Sequence, residues 1–371
     1  MRVLPLVILH AASARFALTA RAIATLYCQA LVARRPPPGP SGVVRFVQRL
    51  VQLTPRGQHE ETTRIRDDRR LSQCLQSLAI DRLTPEELAT LVWSFAVLQR
   101  PLRRSEVAVG DLHTALDEAA LDLDMHRAAE VQWAWESLAR DAKASRRPPP
   151  PRLVARTAPL PFAVRLGAVD VSLLAVRALR EEAAPQRDVI KSGSAEFTSE
   201  TVVETRLTAW QSDSQSPFEY SGKIMQPRVG EAHEAGMSPL VGAVRDALAA
   251  GPIDRRYDSV LVNYYENSGV GMRFHADPGQ GEHWGYSTCV VSAGDCRQFV
   301  FRRIGDPSKR VTVALRAGDV VEMFGECQQL YQHSVKTEAS EELAGPRISL
   351  VYKRTLELEA QQSPSERPDG R

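Results

Sequence analysis

From residue 202 onward the chain becomes a succession of short runs of β-forming residues, and this pattern restricts the fold more than any other feature. Glycine- and proline-bearing turns such as GDPS and RAGD separate the runs. The runs are VVETRLTAW from residue 202, SVLVNYY at 259–265, YSTCVVSA at 286–293, RQFVFRR at 297–303, RVTVALR at 310–316, DVVEMF at 319–324 and RISLVYK at 347–353. Many short strands joined by such turns are typical of a β-sandwich or barrel. We therefore predict a mostly β domain within an α+β chain, preceded by one helix over residues 168–187.

Residues 60–143 show helical spacing instead. Thr84-Pro85-Glu86-Glu87 is a capping box with proline at the first helical position, and the apolar residues after it recur at helical intervals. The stretch LATLVWSFAVL at 88–98 is echoed by AAEVQWAWESL at 128–138, a shift of 40 residues. This sequence pattern resembles the octotricopeptide-like helical repeats of organellar RNA-binding proteins. A pair of amphipathic helices that packs on a neighbouring domain is the other interpretation, and we favour it.

The ends of the chain and one internal segment are predicted to lie outside the folded domains. Residues 1–59 contain eight Arg and no Lys, Asp or Glu, which indicates a transit peptide for a mitochondrion or plastid. A signal peptide followed by a transit peptide, as for a complex plastid, is an alternative; a retained N-terminal arm would instead leave the protein in the cytoplasm or nucleus. Residues 144–159 are predicted as a stiff proline-rich linker, and residues 356–371 as a disordered tail.

Composition excludes several classes of protein. The whole chain has a formal net charge of +2, so setting aside the eight arginines of the leader leaves −6, and any attraction for nucleic acid must come from a local basic patch. Five Cys, an odd number with no C-x-x-C spacing, do not form a disulfide framework. No apolar run is long enough to span a membrane.

A metal site is predicted from three residues that are distant in sequence. His275 and Asp277 lie two apart in FHADP, and His333 follows the predicted strand that contains DVVEMF. Two imidazoles and one carboxylate form the facial triad that binds Fe(II) and leaves positions open for oxygen chemistry. His283 is a competing ligand, but its glycine-rich surroundings favour a surface or lid position.

Such an iron site needs a chelating co-substrate, and 2-oxoglutarate also needs a cation for its distal carboxylate. Arg347 is the candidate, because the arginine fork matches a carboxylate. Since side chains alternate along a strand, Arg347 shares one face with Ser349 and Lys353, and Asn263 shares a face with Tyr265. We predict that these five residues bind the co-substrate.

Three stretches, in this order, carry a family resemblance: LVNYYENSGVGMRFHADP, LRAGDVVEMFGECQQLYQHSV and GPRISLVYKR. They are similar to the AlkB-like Fe(II)/2-oxoglutarate dioxygenases over residues from about 200 to 355. The resemblance implies that residues 160–355 form a double-stranded β-helix (jelly-roll) barrel. It implies that His275, Asp277 and His333 hold the iron at the open end of the barrel, and that Arg347 grips the co-substrate. FEYSGKIMQPR would form the substrate-side lid.

Two positions depart from the family pattern. The second strand arginine is Lys353 here, and the acidic residue that base-repair members carry two places after the metal Asp is Gly279. The second departure argues against repair of damaged bases and leaves the iron chemistry intact.

The resemblance implies hydroxylation of a C–H bond at the expense of O2 and 2-oxoglutarate, giving succinate and CO2. Oxidative N-demethylation of nucleic acid or protein is the expected form, with no catalytic residue beyond the iron ligands. Trp210, Tyr220 and Trp284 are candidate substrate contacts, although packing is the commoner role of such aromatics. The competing hypothesis is a non-catalytic organellar interaction protein that binds RNA through its helical repeats and retains a degenerate barrel.

Overall fold

The structure of the chain is a computed structural model, and it divides into two compact units, Met1–Arg156 and Thr157–Arg371. The residues that it describes are 39–54, 67–76, 78–99, 109–119, 122–140, 160–183, 189–192, 200–228, 236–251, 253, 256–338 and 344–362. The predicted linker at 144–159 and residues 1–38 of the predicted leader lie outside these ranges.

The described part of the N-terminal unit is helical. Its helices are α1 (Pro40–Leu53), α2 (Arg69–Gln76), α3 (Pro85–Val97), α4 (Val109–Ala119) and α5 (Met125–Arg140). The predicted capping box is confirmed at the start of α3. The Glu87 amide donates to the Thr84 hydroxyl at 3.3 Å, and the Thr84 amide donates to the Glu87 carboxylate at 3.0 Å.

Helix α1 lies within the segment that the sequence assigns to the leader. Its apolar residues at helical spacing, among them Val43, Val47 and Leu50, are buried, whereas Arg45 and Arg49 are exposed. In residues 40–53 the lack of acidic residues is therefore a property of an amphipathic helix that is part of the folded unit. The folded part of the chain begins earlier than residue 60, in contrast to the predicted boundary.

The two similar stretches of sequence form α3 and α5, which pack against each other. Phe95 on α3 and Trp133 and Trp135 on α5 are buried. The Arg127 guanidinium of α5 donates to the Glu86 carboxylate of α3 at 3.0 Å. Packing thus accounts for the repeated apolar pattern, and RNA binding by this unit stays a prediction.

The C-terminal unit combines sheets with short helices. Its described helices are α6 (Val176–Glu181), α7 (Pro239–Ala250), α8 (Cys327–Leu330) and α9 (Leu356–Gln362). Its described strands are β1 (Phe162–Arg165), β2 (Val189–Ser192), β3 (Glu200–Val203), β4 (Leu207–Ser212), β5 (Phe218–Tyr220), β6 (Lys223–Met225), β7 (Ser259–Tyr265), β8 (Met272–His275), β9 (Thr288–Gly294), β10 (Arg297–Arg303), β11 (Asp306–Leu315), β12 (Val320–Met323), β13 (Tyr331–Val335) and β14 (Arg347–Lys353).

Two antiparallel sheets organise this unit. One has six strands in the order β1-β12-β9-β14-β7-β4, and the other has four in the order β11-β10-β13-β8. From β7 to β14 the chain passes repeatedly between them, since β7, β9, β12 and β14 belong to the first sheet and β8, β10, β11 and β13 to the second. The hairpins β2–β3 and β5–β6 are separate.

The largest core lies on one face of the six-stranded sheet. Val262 of β7 and Ile348 and Leu350 of β14 form one buried cluster with Val244 and Leu248 of α7. Each such side chain contributes about 1.5–3 kcal/mol by leaving water. Because side chains alternate, the opposite face of β7 and β14 is left for polar residues.

Two segments differ from their predictions. The helix expected over 168–187 is a 3-10 turn at Val171–Leu173 followed by α6. Asp170 caps the turn by accepting from the Ser172 amide at 2.9 Å, and Pro185 lacks the amide that would extend α6.

The tail predicted to be disordered begins as α9. The Thr355 hydroxyl accepts from the Leu358 amide at 3.4 Å, and the Glu359 carboxylate accepts from the Tyr286 amide at 3.1 Å. Residues 363–371 of the tail lie outside the described part of the chain. Within the described ranges every helix is too short or too polar to traverse a bilayer.

Candidate metal centre

His275, Asp277 and His333 come together in the C-terminal unit. One possible ligand atom from each residue lies within 4.8 Å of the other two. The Nε2 atoms of His275 and His333 are each 3.6 Å from Oδ1 of Asp277. Three converging ligand atoms of this kind can occupy one face of the coordination sphere of Fe(II).

Strand pairing in the four-stranded sheet sets this geometry. His333 on β13 lies directly opposite His275 on β8, so both rings project from the same face. Asp277 follows β8 by two residues, and its amide donates to the buried Gln328 side chain of α8 at 2.8 Å. Gln328 was not predicted from the sequence, because nothing in its local pattern indicates that contact.

The two imidazoles are prepared to act as ligands. Nδ1 of His275 lies 2.9 Å from the Arg273 carbonyl oxygen, and a proton on Nδ1 leaves Nε2 free to bind a metal. Loss of hydration, reinforced by the neighbouring His275, lowers the pKa of His333 to about 3 despite the opposing effect of Asp277. Loss of hydration also lowers the pKa of His275, against the opposing effect of Asp277. Both rings are therefore neutral at neutral pH, as metal ligation requires.

Asp277 forms an ion pair with Lys353, a residue that the sequence analysis predicted to bind the co-substrate. Lys353, only 2% exposed, donates from Nζ to Oδ2 of Asp277 at 2.7 Å and to the Thr288 hydroxyl at 3.4 Å. Burial alone would raise the pKa of Asp277, but Lys353 and the two histidines lower it below the ordinary value. The ammonium thus holds the carboxylate of the predicted triad, a contact that the sequence did not indicate, and binding of the co-substrate by Lys353 stays a prediction.

The inner face of β7 and β14 carries the other predicted co-substrate residues. Arg347 lies opposite Tyr265, and Ser349 lies opposite Asn263. The Arg347 guanidinium is 5.3 Å from the centre of the Tyr265 ring, and the Asn263 amide is 3.5 Å from the Ser349 hydroxyl. The register thus brings all four side chains into one buried group, as the alternation along each strand predicts.

Arg347 is buried with spare hydrogen-bonding capacity. It is 1% exposed, and its Nη2 donates to the Ser292 hydroxyl at 2.8 Å. Its Nε and Nη1 have no hydrogen-bond acceptor among the described residues. Because an unsatisfied buried cation is costly, these two donors fit a planar carboxylate such as the distal end of 2-oxoglutarate.

A buried polar network extends from this group to the β5–β6 hairpin. The Arg206 guanidinium donates from Nε to Oδ1 of Asn263 at 2.8 Å and lies 2.9 Å from the Glu204 carboxylate. The Tyr220 hydroxyl donates to the same carboxylate at 2.8 Å. Sequence reasoning missed Glu204 and Arg206, although their alternation with Thr208 in ETRLT is the signal that would have found them.

Two of the three aromatic residues predicted to contact the substrate have another role. Trp210 and Trp284 are 1% and 4% exposed, and their rings meet edge to face at 5.2 Å beside Phe218. They pack the base of the β5–β6 hairpin, so stacking against a substrate is corrected for both. Tyr220 is half-buried and contacts this cluster from its edge.

The loop after Asp277 contributes no further metal ligand. His283 is exposed and lies outside the triad. Gly279 has a positive φ of 70°, and its carbonyl accepts from the amides of Glu282, His283 and Trp284. The position that would carry an acidic side chain is therefore the pivot of a tight turn.

Comparison with known proteins agrees with this chemistry. A family model described as the 2OG-Fe(II) oxygenase superfamily matches residues 172–353. The match includes the three triad residues and the whole inner face of β7 and β14.

Two curated relatives and one solved structure are similar to the same part of the chain. Uncharacterized protein R406 of Acanthamoeba polyphaga mimivirus is 28% identical over 184 residues, which cover 47% of this chain and 84% of that protein. The DNA oxidative demethylase ALKBH2 of Homo sapiens is 26% identical over 158 residues, which cover 41% of this chain and 57% of the human protein. The structure of OsALKBH1 superposes with a TM-score of 0.34 at 16% identity, covering 54% of this chain and 99% of that one.

Proposed function

Since residues 172–353 form an Fe(II)- and 2-oxoglutarate-dependent dioxygenase domain of the AlkB type, we propose that this domain removes N-methyl groups oxidatively from nucleic acid. The observation that carries the proposal is the complete His275, Asp277 and His333 triad in one unit with a buried arginine, Arg347, that has two unused donors. The similarity to a protein named as a DNA oxidative demethylase supports nucleic acid as the substrate class.

The chain's residues divide the work between metal, co-substrate and substrate. When Fe(II), 2-oxoglutarate and O2 are bound, such a centre converts 2-oxoglutarate to succinate and CO2 and hydroxylates a nearby C–H bond; a hydroxylated N-methyl group is then lost as formaldehyde. Lys353 and Gln328 hold Asp277 in place, and Arg347 receives the distal carboxylate of the co-substrate. Asn263, fixed by Arg206, offers its amide to the other end of the co-substrate.

We further infer that β7 to β14 form a double-stranded β-helix (jelly-roll) barrel. The repeated passage of these eight strands between two antiparallel sheets supports it. The triad lies on the four-stranded sheet and Arg347 on the six-stranded sheet, so the co-substrate would lie between the two. Gly279 argues against repair of damaged bases, so the preferred substrate would be a methylated base of another kind.

Succinate and formaldehyde measured together test this function. The full chain is incubated with Fe(II), 2-oxoglutarate and methylated or unmethylated single-stranded DNA, RNA or peptide. We expect equal amounts of both products with a methylated nucleic acid. His275→Ala should abolish them, whereas the matched control His283→Ala, an exposed histidine in the loop that follows β8, should retain turnover.

Two results contradict the proposal. Turnover that survives in His275→Ala would remove the metal assignment. Formaldehyde released only from methylated peptides would move the substrate class from nucleic acid to protein.

We also propose that the segment before α1 directs the protein to a mitochondrion or plastid. The support is the acid-free, arginine-bearing sequence of residues 1–38. A fluorescent protein fused after residue 39 should enter the organelle and lose the segment by cleavage. Fluorescence that stays in the cytoplasm or nucleus would contradict the proposal.

A further inference from the structure

The outer face of the four-stranded sheet carries two cations over one aromatic ring and a third cation, Arg310, opposite one of them. We call Phe274 of β8, Arg302 of β10, Arg310 of β11 and Lys336, which follows β13, the basic patch. The Arg302 guanidinium lies 3.9 Å and the Lys336 ammonium 4.1 Å from the centre of the Phe274 ring. Arg310 is exposed, and the other three side chains are half-buried.

These cations have no acidic partner in the part of the chain that the structure describes. Among the described residues, none of the three forms an ion pair, and Arg302 donates instead to the neutral Gln332 side chain at 2.7 and 2.9 Å. Arg302 and Arg310 lie directly opposite each other in the β10–β11 pair, where like charges are destabilising. Partial burial, with Arg302 and Arg310 adding to it, lowers the pKa of Lys336. The folded unit thus maintains an unfavourable concentration of positive charge, which an anion would relieve.

The basic patch lies on the reverse side of the strands that carry the metal ligands. Phe274 immediately precedes His275 on β8, and Gln332 immediately precedes His333 on β13. Since successive side chains point to opposite faces, Phe274 and Gln332, the acceptor of Arg302, face away from the two histidines, so the patch and the triad lie on opposite faces of one sheet. Strand β8 is the edge of that sheet, and Asp277 follows its end.

We propose that the basic patch binds the phosphates of a single-stranded nucleic acid and so holds the nucleotides that flank the methylated one. Guanidinium groups match phosphate oxygens in a bidentate manner, and positive charge beside an aromatic ring is a common way to hold single strands. Because residues 60–371 have a net charge of −6, the attraction depends on this local cluster. The strand would pass over the β8 edge, which places one nucleotide next to the triad.

This inference rests on the proposed function and deepens it, since it assigns both a substrate class and a surface. Binding is measured by fluorescence anisotropy with labelled single-stranded DNA and RNA of the same sequence, between about 50 and 200 mM salt. The proteins compared are the full chain, Arg310→Gln and the triple variant R302Q/R310Q/K336Q. Arg177→Gln is the matched control, because Arg177 is an exposed arginine on α6, which packs against the six-stranded sheet.

Each phosphate contact to a single strand contributes about 0.7 to the slope of log affinity against log salt. We therefore expect Arg310→Gln to reduce the slope by about 0.7, and the triple variant to reduce it by about 2 and to bind roughly tenfold more weakly at low salt. Arg177→Gln should leave the slope unchanged. The triple variant should melt at or above the temperature of the parent, because the repulsion between the cations is removed.

Three outcomes overturn the inference: no binding of either nucleic acid by the parent chain, an unchanged slope in the triple variant, or an equal loss in Arg177→Gln. Patch-dependent binding of a polyglutamate peptide at the affinity of the oligonucleotides would assign the surface to an acidic protein. Succinate and formaldehyde report separately on the proposed function. If the protein binds single-stranded nucleic acid through the basic patch but does not demethylate it, the inference stands and the proposed function is contradicted.

Discussion

Burying the charged Arg347 side chain without a ligand is unfavourable for the stability of the fold. Of its guanidinium nitrogens, only Nη2 has a hydrogen-bond acceptor among the described residues, the Ser292 hydroxyl. Burial lowers the pKa of this group, and Tyr265 partly offsets the effect. An arginine guanidinium keeps its proton in proteins, so the side chain is charged. A carboxylate that accepted hydrogen bonds from the two remaining donors would offset the free energy lost by burying the charge.

Arg347→Met should separate co-substrate binding from stability. We expect a Michaelis constant for 2-oxoglutarate at least about a hundredfold higher, because two charge-assisted hydrogen bonds are lost. The melting temperature without ligand should not fall, since a poorly paired buried cation is removed. Thermal unfolding with and without 2-oxoglutarate checks both points. A ligand-dependent rise in melting temperature as large as that of the parent would contradict the assignment of Arg347.

Lys353→Met should make the thermal stability of the protein depend more strongly on a bound metal ion. Removing the ammonium leaves the Asp277 carboxylate buried without its cation, which costs about 3–5 kcal/mol. A divalent ion can replace that positive charge, so adding Fe(II) without oxygen should raise the melting temperature of the variant more than that of the parent. Lys353→Arg serves as the conservative control and should behave like the parent. Equal metal-dependent shifts in all three proteins would exclude this role for Lys353.

At the scale of elements, the β5–β6 hairpin depends on its surroundings. Each of its strands has three residues, and a hairpin of that length is not stable alone. Phe218 packs on Trp210 at 4.7 Å, and the Tyr220 hydroxyl anchors the other side to Glu204. The hairpin is thus held by the apolar cluster around Trp210 of β4, which Met225 also joins, and by Glu204, which lies between β3 and β4. The side chains of Glu219 and Ile224 face outward.

Phe218→Ala should release the hairpin and leave the sheets folded. We expect faster amide hydrogen exchange at residues 218–225, because most of the apolar contact that holds the hairpin is lost. Strands β7 and β14 should keep their protection. Ile224→Ala is the matched control on the same hairpin, since Ile224 is 61% exposed. Uniformly faster exchange across both sheets would show that Phe218 supports the whole unit instead.

The elements also show what the sequence can and cannot specify. The run RISLVYK coincides with β14, and its alternation correctly placed Arg347 and Ser349 on one face, because strand periodicity is local. The partner of Lys353 is 76 residues away, and the pairing of distant strands is set by packing that no local pattern encodes. The same limit applies to Trp210 and Trp284, whose contact depends on how the loop after Asp277 folds back.

At the scale of the whole molecule, the chain consists of two units with separate cores. The triad and all of the residues predicted to bind the co-substrate belong to the C-terminal unit. Residues 157–371 expressed alone should therefore fold and retain iron-dependent succinate formation, with His275→Ala in the same fragment as control. The full chain should show two unfolding transitions in calorimetry, and the fragment one. An insoluble or iron-independent fragment would show that the helical unit is required for the fold of the oxygenase unit.

The glycine at position 279 also limits how this enzyme can be redesigned. Its backbone has a positive φ, and an added Cβ would lie 3.2 Å from the Trp284 ring. An acidic side chain at this point would strain the turn and displace a tryptophan that supports the β5–β6 hairpin. A single substitution would thus disturb the substrate side while trying to add a contact to it. Engineering base-repair activity into this scaffold would require transplanting the entire loop between β8 and β9, together with the aromatic residues beneath it.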